Sequence, residues 1–182
     1  QTKLLPPQQA PCSDDYLIIA TGGTTGLPKG VQWRHEDLWR SMNISMSYDL
    51  APLALEQHPA SIEEHVDNLV RVQQQSRFMP LSPLMHGAGL MASLMVLGQA
   101  GTIITVDDRR FDANRVLDTI KSSQPHRVAL VGDAFARPLI EALDKRVEEK
   151  LLSGLQAIIS SGASLSDDCK QTFLQHNPEL LI

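Results

Sequence analysis

The sequence predicts an α/β fold in which helices flank a mostly parallel β-sheet. From residue 77 to the end, short apolar runs alternate with segments of helical length, which is typical of βαβ units with parallel strands. Hydrophobic residues make up 42% of the chain and charged residues 20%, and this composition excludes a wholly disordered protein. With 182 residues, the chain is also long enough to bury a core.

The chain is expected to divide into an N-terminal arm and one α/β unit. Three prolines within residues 1–13 favour an extended arm there. Residues 14–182 are expected to form a single fragment of a larger domain, with a loop-bearing part over 14–76 and a βαβ part over 77–182. Residues 180–182 are apolar and have no polar cap, so we expect the natural protein to continue and this edge to self-associate when it is left uncovered.

Two short strands are predicted on either side of a glycine-rich loop. Residues 16–20 form an apolar run that predicts a buried strand, and residues 31–33 resume a strand pattern after the loop. Residues 35–46 then carry apolar side chains at helical spacing. The sequence Ser-Ile-Glu-Glu over residues 61–64 is a capping box, which predicts a helix that continues to about Gln74.

From residue 78 onward, the predicted strands and helices alternate without a repeat of fixed length. The predicted strands are 78–82, 102–106, 127–131, 156–160 and 179–182, and the predicted helices are 88–98, 113–122, 134–144 and 166–175.

The charge and hydropathy of the chain exclude several classes of protein. Sixteen Lys and Arg against 21 Asp and Glu give a net charge of −5, so no basic excess is available to neutralise nucleic acid. The uncharged apolar stretch in the middle of the chain, residues 87–101, is too short for a membrane span. No signal pattern opens the chain, and we expect a cytoplasmic protein. Cys12 and Cys169 are expected to be free thiols, and the six histidines have no metal-ligand spacing, so no metal site is predicted.

The chemistry of the chain is concentrated in a ten-residue loop. In order, its residues are Thr21, Gly22, Gly23, Thr24, Thr25, Gly26, Leu27, Pro28, Lys29 and Gly30. Glycines let the backbone turn sharply and bring N–H groups close to an anion. Threonine hydroxyls add donors, and the lysine adds a mobile positive charge that can follow a polyphosphate. The loop therefore predicts a polyphosphate-binding site.

The P-loop of nucleoside triphosphatases is the rival interpretation, and the sequence excludes it. That motif needs Gly before its lysine and Ser or Thr after it, at the start of a helix. Here Pro28 and Gly30 occupy those two positions, and a strand pattern follows.

The loop instead resembles the phosphate loop of the adenylate-forming superfamily, which includes acyl-CoA synthetases, peptide-synthetase adenylation domains and luciferases. The family form reads close to T-[SG]-G-[ST]-T-G-x-P-K-G, and every specified position matches. In the family this loop holds the β- and γ-phosphates of ATP. The resemblance therefore implies that the nucleotide is bound by Thr21, Gly22, Gly23, Thr24, Thr25, Gly26 and Lys29.

A second segment, residues 83–90, supports the same family. Its sequence P-L-M-H-G-A-G-L resembles the family motif P-L-x-H-x-x-G-L. The resemblance implies that His86 and Gly87 lie beside the carboxylate end of the acyl group and the adenylate. The alternative for His86 is a hydrogen-bonded core histidine or a helix cap.

A third segment, residues 160–165, resembles the family stretch S-G-G-A-P-L less closely. Ser161 replaces a Gly of that stretch, and Ser164 replaces its Pro. The resemblance implies that the backbone of Gly162 and Ala163 packs against the adenine and the acyl pocket. The alternative is a plain turn between a strand and a helix, with Ser164 as the helix N-cap.

Within the family, the chain looks most like bacterial fatty-acyl-CoA synthetases, and closest to the actinobacterial branch that activates long-chain and steroid side-chain acids. Peptide-synthetase adenylation domains carry an Asp after the phosphate loop, whereas small residues follow His86 here, and Asp112 is expected to be a helix N-cap. The family's Y-G-x-T-E and T-G-D motifs and its catalytic lysine are absent from this chain. No catalytic residue is therefore assigned.

The resemblance implies part of an ATP-dependent acyl-CoA synthetase that uses ATP, Mg²⁺ and CoA and adenylates a fatty or steroid side-chain acid. The alternative is a non-catalytic nucleotide-binding or structural fragment that is inactive by itself. The length of the source reading frame discriminates between them, since only a longer frame can encode the missing motifs.

Overall fold

The structure, a computed structural model, describes residues 12–21, 29–47, 52–72, 75–108 and 110–182. Most of the predicted arm over 1–13 and the body of the glycine-rich loop, residues 22–28, lie outside these ranges. The strands are β1 Tyr16–Thr21, β2 Lys29–Arg34, β3 Arg77–Pro80, β4 Thr102–Ile103, β5 Arg127–Leu130 and β6 Ala157–Ser160. The α-helices are α1 His35–Trp39, α2 Ile62–Val72, α3 Gly87–Gly98, α4 Ala113–Ser123, α5 Gly132–Asp144 and α6 Asp167–His176.

The four strands from β3 to β6 form one parallel sheet in the order β4-β3-β5-β6. This confirms the predicted α/β fold. The predicted strand over 102–106 is shorter than expected, because the chain leaves this edge of the sheet after Ile104, whose N–H still donates to the carbonyl of Phe78 at 2.8 Å.

The last predicted strand, over 179–182, is reduced to a single parallel bridge between Leu181 and Ala157. The N–H of Ile158 donates to the carbonyl of Leu181 at 2.8 Å, and Leu180 is buried. The expectation that this apolar end stays uncovered is therefore wrong for Leu180, which packs within the chain. Leu181 pairs only through its backbone and its side chain is 71% exposed, so self-association of this edge stays a prediction.

Helices cover both faces of the sheet because successive side chains of a strand point to opposite faces. Phe78 and Ala129 pack against Val96 of α3. Their neighbours in the strands point the other way, into a larger core that α4, α5 and α6 complete. The buried members of that core include Met79, Val128, Leu130, Leu117, Leu139, Leu143 and Phe173.

The strands β1 and β2 form an antiparallel hairpin, and its register ends with Thr21 opposite Lys29. The predicted strand is present, but the prediction that it is buried is wrong for most of its side chains. Ile19 is only 7% exposed, whereas Tyr16 and Ile18 are 58% and 61% exposed. A two-stranded sheet can bury one face by packing on a single neighbour, and within the described residues the opposite face of β1 stays open.

The N-terminal part of the chain is tied to α3 by polar side chains. Gln99, which is almost fully buried, donates through Nε2 to the carbonyl of Asn43 at 2.7 Å and to that of Met46 at 3.0 Å. The ring Nε2 of His65 lies 2.8 Å from the carbonyl oxygen of Gly98. These contacts fix the segment between the hairpin and α2 against the end of α3.

One hydrogen bond of the predicted capping box is present at the start of α2, and the other is displaced by one residue, to the N–H of Ala60 in place of Ser61. The N–H of Glu64 donates to the hydroxyl of Ser61 at 3.2 Å, and the Glu64 carboxylate accepts from the N–H of Ala60 at 2.8 Å.

Cys12 is exposed and Cys169 is buried, and both are free thiols. Among the described residues, no helix is both long enough and apolar enough to cross a membrane.

Candidate functional site

The candidate site lies at the carboxyl-terminal edge of the parallel sheet. The chain leaves β3 toward β4 through α3 on one face, and it leaves β5 toward β6 through α5 on the other face. The adjacent strands β3 and β5 are therefore followed by connections on opposite faces of the sheet. This opens a crevice at their carboxyl ends, which is where open α/β sheets bind ligands. Residues 81–86 follow β3 and residues 161–166 follow β6.

The hairpin brings the base of the glycine-rich loop to this edge. Thr21 and Lys29 close the β1–β2 ladder, so the seven residues between them start and end on paired strands. Lys29 opens a strand and not a helix, as expected when the P-loop was excluded. A methyl group placed at Gly87 would lie 3.8 Å from Cγ2 of Ile19, so β1 packs directly beside the start of α3. The binding residues predicted at Gly22, Gly23, Thr24, Thr25 and Gly26 lie outside the described residues.

His86 stands at the N-terminus of α3 with an exposed side chain. Its N–H donates to the carbonyl of Pro83 at 2.9 Å, and its carbonyl accepts from the N–H of Leu90 at 3.0 Å. The residue therefore occupies the N-cap position through its backbone, and its ring makes no cap hydrogen bond. The alternative of a core histidine is wrong, and the ring is accessible to a ligand.

A cleft of about 440 Å³, which apolar side chains line together with Asp108, Arg110 and Asp112, lies beside the His86 segment. Pro83 and Leu84 line one wall, and Phe111 meets Phe135 of α5 edge to face with ring centroids 5.0 Å apart. Asp112 caps α4 as predicted, since its Oδ1 accepts from the N–H of Asn114 at 2.9 Å. The cleft can accommodate an apolar group that enters next to residues 83–86.

The third segment forms an exposed turn after β6. Gly162 has a φ of +84°, a left-handed conformation that L side chains rarely adopt. Gly132, at the start of α5, also has a positive φ of +57°, and the turn packs so closely on it that a methyl group there would lie 2.4 Å from the carbonyl oxygen of Ser164. The alternative prediction of Ser164 as the N-cap of α6 is wrong. Ser166 is the N-cap, because its hydroxyl accepts from the N–H of Cys169 and the carbonyl of Ser164 is directed to α5.

Asp133 connects α5 to this turn, and the sequence prediction missed it. Its N–H donates to the carbonyl of Ser164 at 3.1 Å, and its Oδ1 accepts from the N–H of Ser166 at 2.7 Å. Oδ2 pairs with Arg137 at 2.8 Å. The pair Gly132–Asp133 directly after a buried strand was the available signal, since acidic residues are favoured in the first turn of a helix.

The environment of Asp133 lowers its pKa to about 2, chiefly through the hydrogen bond from the backbone of Ser166 and then through Arg137. A lowered pKa means that folding favours the ionised carboxylate. Its contribution to the free energy of unfolding is complete above the ordinary value of 3.8 and is lost as the pH falls toward about 2.

We expect the stability difference between the unaltered chain and Asp133→Asn to shrink as the pH falls from about 5 to about 2. At the lower end about half of the Asp133 carboxyl groups are protonated, and the protonated form resembles the neutral amide. The measurement is the urea midpoint of both proteins across this pH range. A difference that stays constant over the range would contradict the lowered pKa.

The described residues contain no cluster of three or more His, Cys, Asp or Glu side chains that could hold a metal ion.

The comparisons with known proteins identify the family of the chain. Residues 2–182 match the protein family described as AMP-binding enzyme. The medium-chain acyl-CoA ligase Mig of Mycobacterium avium is 33% identical over 179 residues, which cover 97% of this chain and 31% of that protein. A medium/long-chain-fatty-acid–CoA/3-oxocholest-4-en-26-oate–CoA ligase of Mycobacterium marinum is 34% identical over 185 residues, which cover 96% of this chain and 30% of that protein.

The fold is also that of a solved structure. The luciferase-like enzyme of the mealworm Zophobas morio superposes with a TM-score of 0.67 at 15% identity, covering 98% of this chain and 35% of that one. The chain spans about 30% of the length of the curated relatives it matches. Because the family match extends over almost all of its residues, the chain belongs to the AMP-binding enzyme family.

Proposed function

We propose that the protein carrying this chain is an AMP-forming acyl-CoA ligase that acts on a fatty or steroid side-chain carboxylic acid. The observation that supports the proposal is that β1 of the loop-bearing hairpin packs at Ile19 beside Gly87, at the same carboxyl-terminal edge of the sheet from which the 161–166 turn leaves β6. The relatives are named as medium-chain and steroid acyl-CoA ligases, which supports the substrate class. We also propose that the protein is cytoplasmic and that residues 14–182 form a single α/β unit.

The reaction has two steps in this proposal. A carboxylate oxygen attacks the α-phosphorus of ATP, the acyl–phosphate bond forms, and pyrophosphate leaves. The sulfur of CoA then attacks the acyl carbon, the bond to the phosphate oxygen breaks, and AMP leaves. Backbone N–H groups of the loop and the ammonium of Lys29 would stabilise the charge that develops on the departing pyrophosphate. No step is assigned to Mg²⁺.

The proposal places the acid between His86 and the cleft beside it. The exposed ring of His86 would border the carboxylate, and the small residues that follow it, including Gly87, leave room for the adenylate. The cleft beside Pro83 and Leu84 would accept the apolar part of the acid.

An assay of acid-dependent pyrophosphate release on the intact protein tests this function. A panel of medium-chain, long-chain and steroid side-chain acids should give release with at least one member, followed by CoA-dependent formation of AMP. ATP binding without release for any acid would contradict the ligase and support a non-catalytic nucleotide-binding protein.

A substitution of His86 tests the position of the acid. We expect His86→Ala to lower kcat/KM for the acid by roughly tenfold while His86→Asn, which keeps a polar group, recovers part of the loss. Because the side chain is exposed and makes no cap hydrogen bond, His86→Ala should unfold at the same temperature as the unaltered protein. Loss of thermal stability with unchanged kinetics would contradict this role.

A further inference from the structure

The turn over residues 161–166 is hydrogen-bonded to the first turn of α5. Asp133 contacts it twice, through an N–H donated to the carbonyl of Ser164 at 3.1 Å and through Oδ1, which accepts from the N–H of Ser166 at 2.7 Å. On the other side, the hydroxyl of Ser160 accepts from the N–H of Gly132 at 3.1 Å. Both ends of the turn are thus anchored to α5.

The sequence of the turn explains why such an anchor is needed. Ser161 and Ser164 stand where the family stretch has Gly and Pro. A proline fixes φ near −65° by its ring, and a serine has no comparable restriction. Residues 161–164 are also exposed, and residues 163–164 pack closely against Gly132 at the start of α5. Hydrogen bonds with Asp133 hold the backbone at residues 164 and 166 in that position.

We propose that Asp133 is a positioning residue for the adenine nucleotide, acting through the backbone of Gly162 and Ala163. The inference rests on the proposed function and on the placement of the adenine against that backbone, which the family resemblance implies. Both carboxylate oxygens of Asp133 are already engaged, Oδ1 by the Ser166 N–H and Oδ2 by Arg137. Asp133 therefore acts on the nucleotide by fixing the shape of the turn, without touching it.

The first measurement is amide hydrogen exchange of the peptide spanning residues 161–166 in the intact protein. Asp133→Ala removes the acceptor for Ser166 and should raise exchange there by roughly tenfold. Asp133→Asn keeps an oxygen acceptor at the same place and should remain close to the unaltered protein. Asp133→Glu keeps the negative charge at the helix N-terminus but displaces the acceptor, so it should behave like Ala without the same loss of stability.

The second measurement is the Kd of AMP by calorimetry for the same proteins. Asp133→Ala and Asp133→Glu should bind AMP roughly tenfold more weakly, and Asp133→Asn should stay within about threefold. Asp144→Ala is the matched control, since Asp144 pairs with His176 at 2.9 Å and links the same two helices at their opposite ends. Arg137→Gln removes only the ion pair on Oδ2, and both controls should leave the Kd unchanged.

The two measurements separate this inference from the function on which it rests. If the unaltered protein binds neither AMP nor ATP, the proposed function is wrong, and so is the role of Asp133 in positioning the nucleotide. If the protein binds AMP and Asp133→Ala binds it equally well, the positioning role alone is overturned. Unchanged exchange over residues 161–166 in both Asp133→Ala and Asp133→Glu would likewise overturn it.

Discussion

Replacement of Gly132 by alanine is expected to lower the free energy of unfolding by about 2–4 kcal/mol, from left-handed strain together with overpacking. The residue has a φ of +57°, which an L side chain rarely adopts. Its new methyl group would lie 2.4 Å from the carbonyl oxygen of Ser164 and 2.9 Å from Cβ of Ala163. Since the closest atom belongs to the backbone, the whole turn must move away from α5.

The loss is measured by urea unfolding against two matched glycine variants. Gly154→Ala places its methyl group where no atom lies within 4 Å, so it should be nearly neutral. Gly162→Ala has the strained φ of +84° but only an ordinary contact, 3.5 Å from Cγ1 of Val131, and should cost about 1–2 kcal/mol. Equal losses in Gly132→Ala and Gly162→Ala would show that the close contact with residues 163–164 contributes nothing.

Replacement of Lys29 by alanine is expected to reduce kcat/KM for ATP by roughly 5- to 150-fold, the equivalent of about 1–3 kcal/mol for a charge-assisted hydrogen bond to phosphate. The residue opens β2 opposite Thr21, so a paired strand fixes its backbone at the edge of the loop. Its ammonium should follow the polyphosphate, and KM for the acid should change much less.

Steady-state kinetics of pyrophosphate release, with ATP and acid varied separately, measures this effect. Lys29→Arg keeps the positive charge and should recover part of the activity, although its planar group differs from a point charge. Lys145→Ala removes an exposed lysine after the end of α5, at the opposite end of that helix from Asp133, and serves as the control. An unchanged kcat/KM for ATP in Lys29→Ala would remove Lys29 from the site.

Much of the fold followed from local patterns in the sequence. Apolar runs predicted every strand of the parallel sheet, and Ser61 and Asp112 were correctly expected to cap their helices. Caps can be read from the sequence because a side chain bonds a backbone group two or three residues away. The prediction that Ser164 is the N-cap of α6 was wrong. Two serines, Ser164 and Ser166, precede that helix, and the carbonyl of Ser164 accepts a hydrogen bond from Asp133 and not from α6.

The sequence by itself determined the family, the order of strands and helices, and the identity of the three segments expected to bind ligands. Each of these depends on residues close together in the chain. Tertiary structure alone decided that Ile19 packs beside Gly87, that Tyr16 and Ile18 stay exposed, and that Asp133 anchors the 161–166 turn. Asp133 and Ser166 are separated by the rest of α5 and by β6, and only the parallel pairing of β5 with β6 brings their helix N-termini to one edge. Hydrogen bonds between residues so far apart leave no periodic pattern in the sequence. For that reason they could be identified only in the tertiary structure.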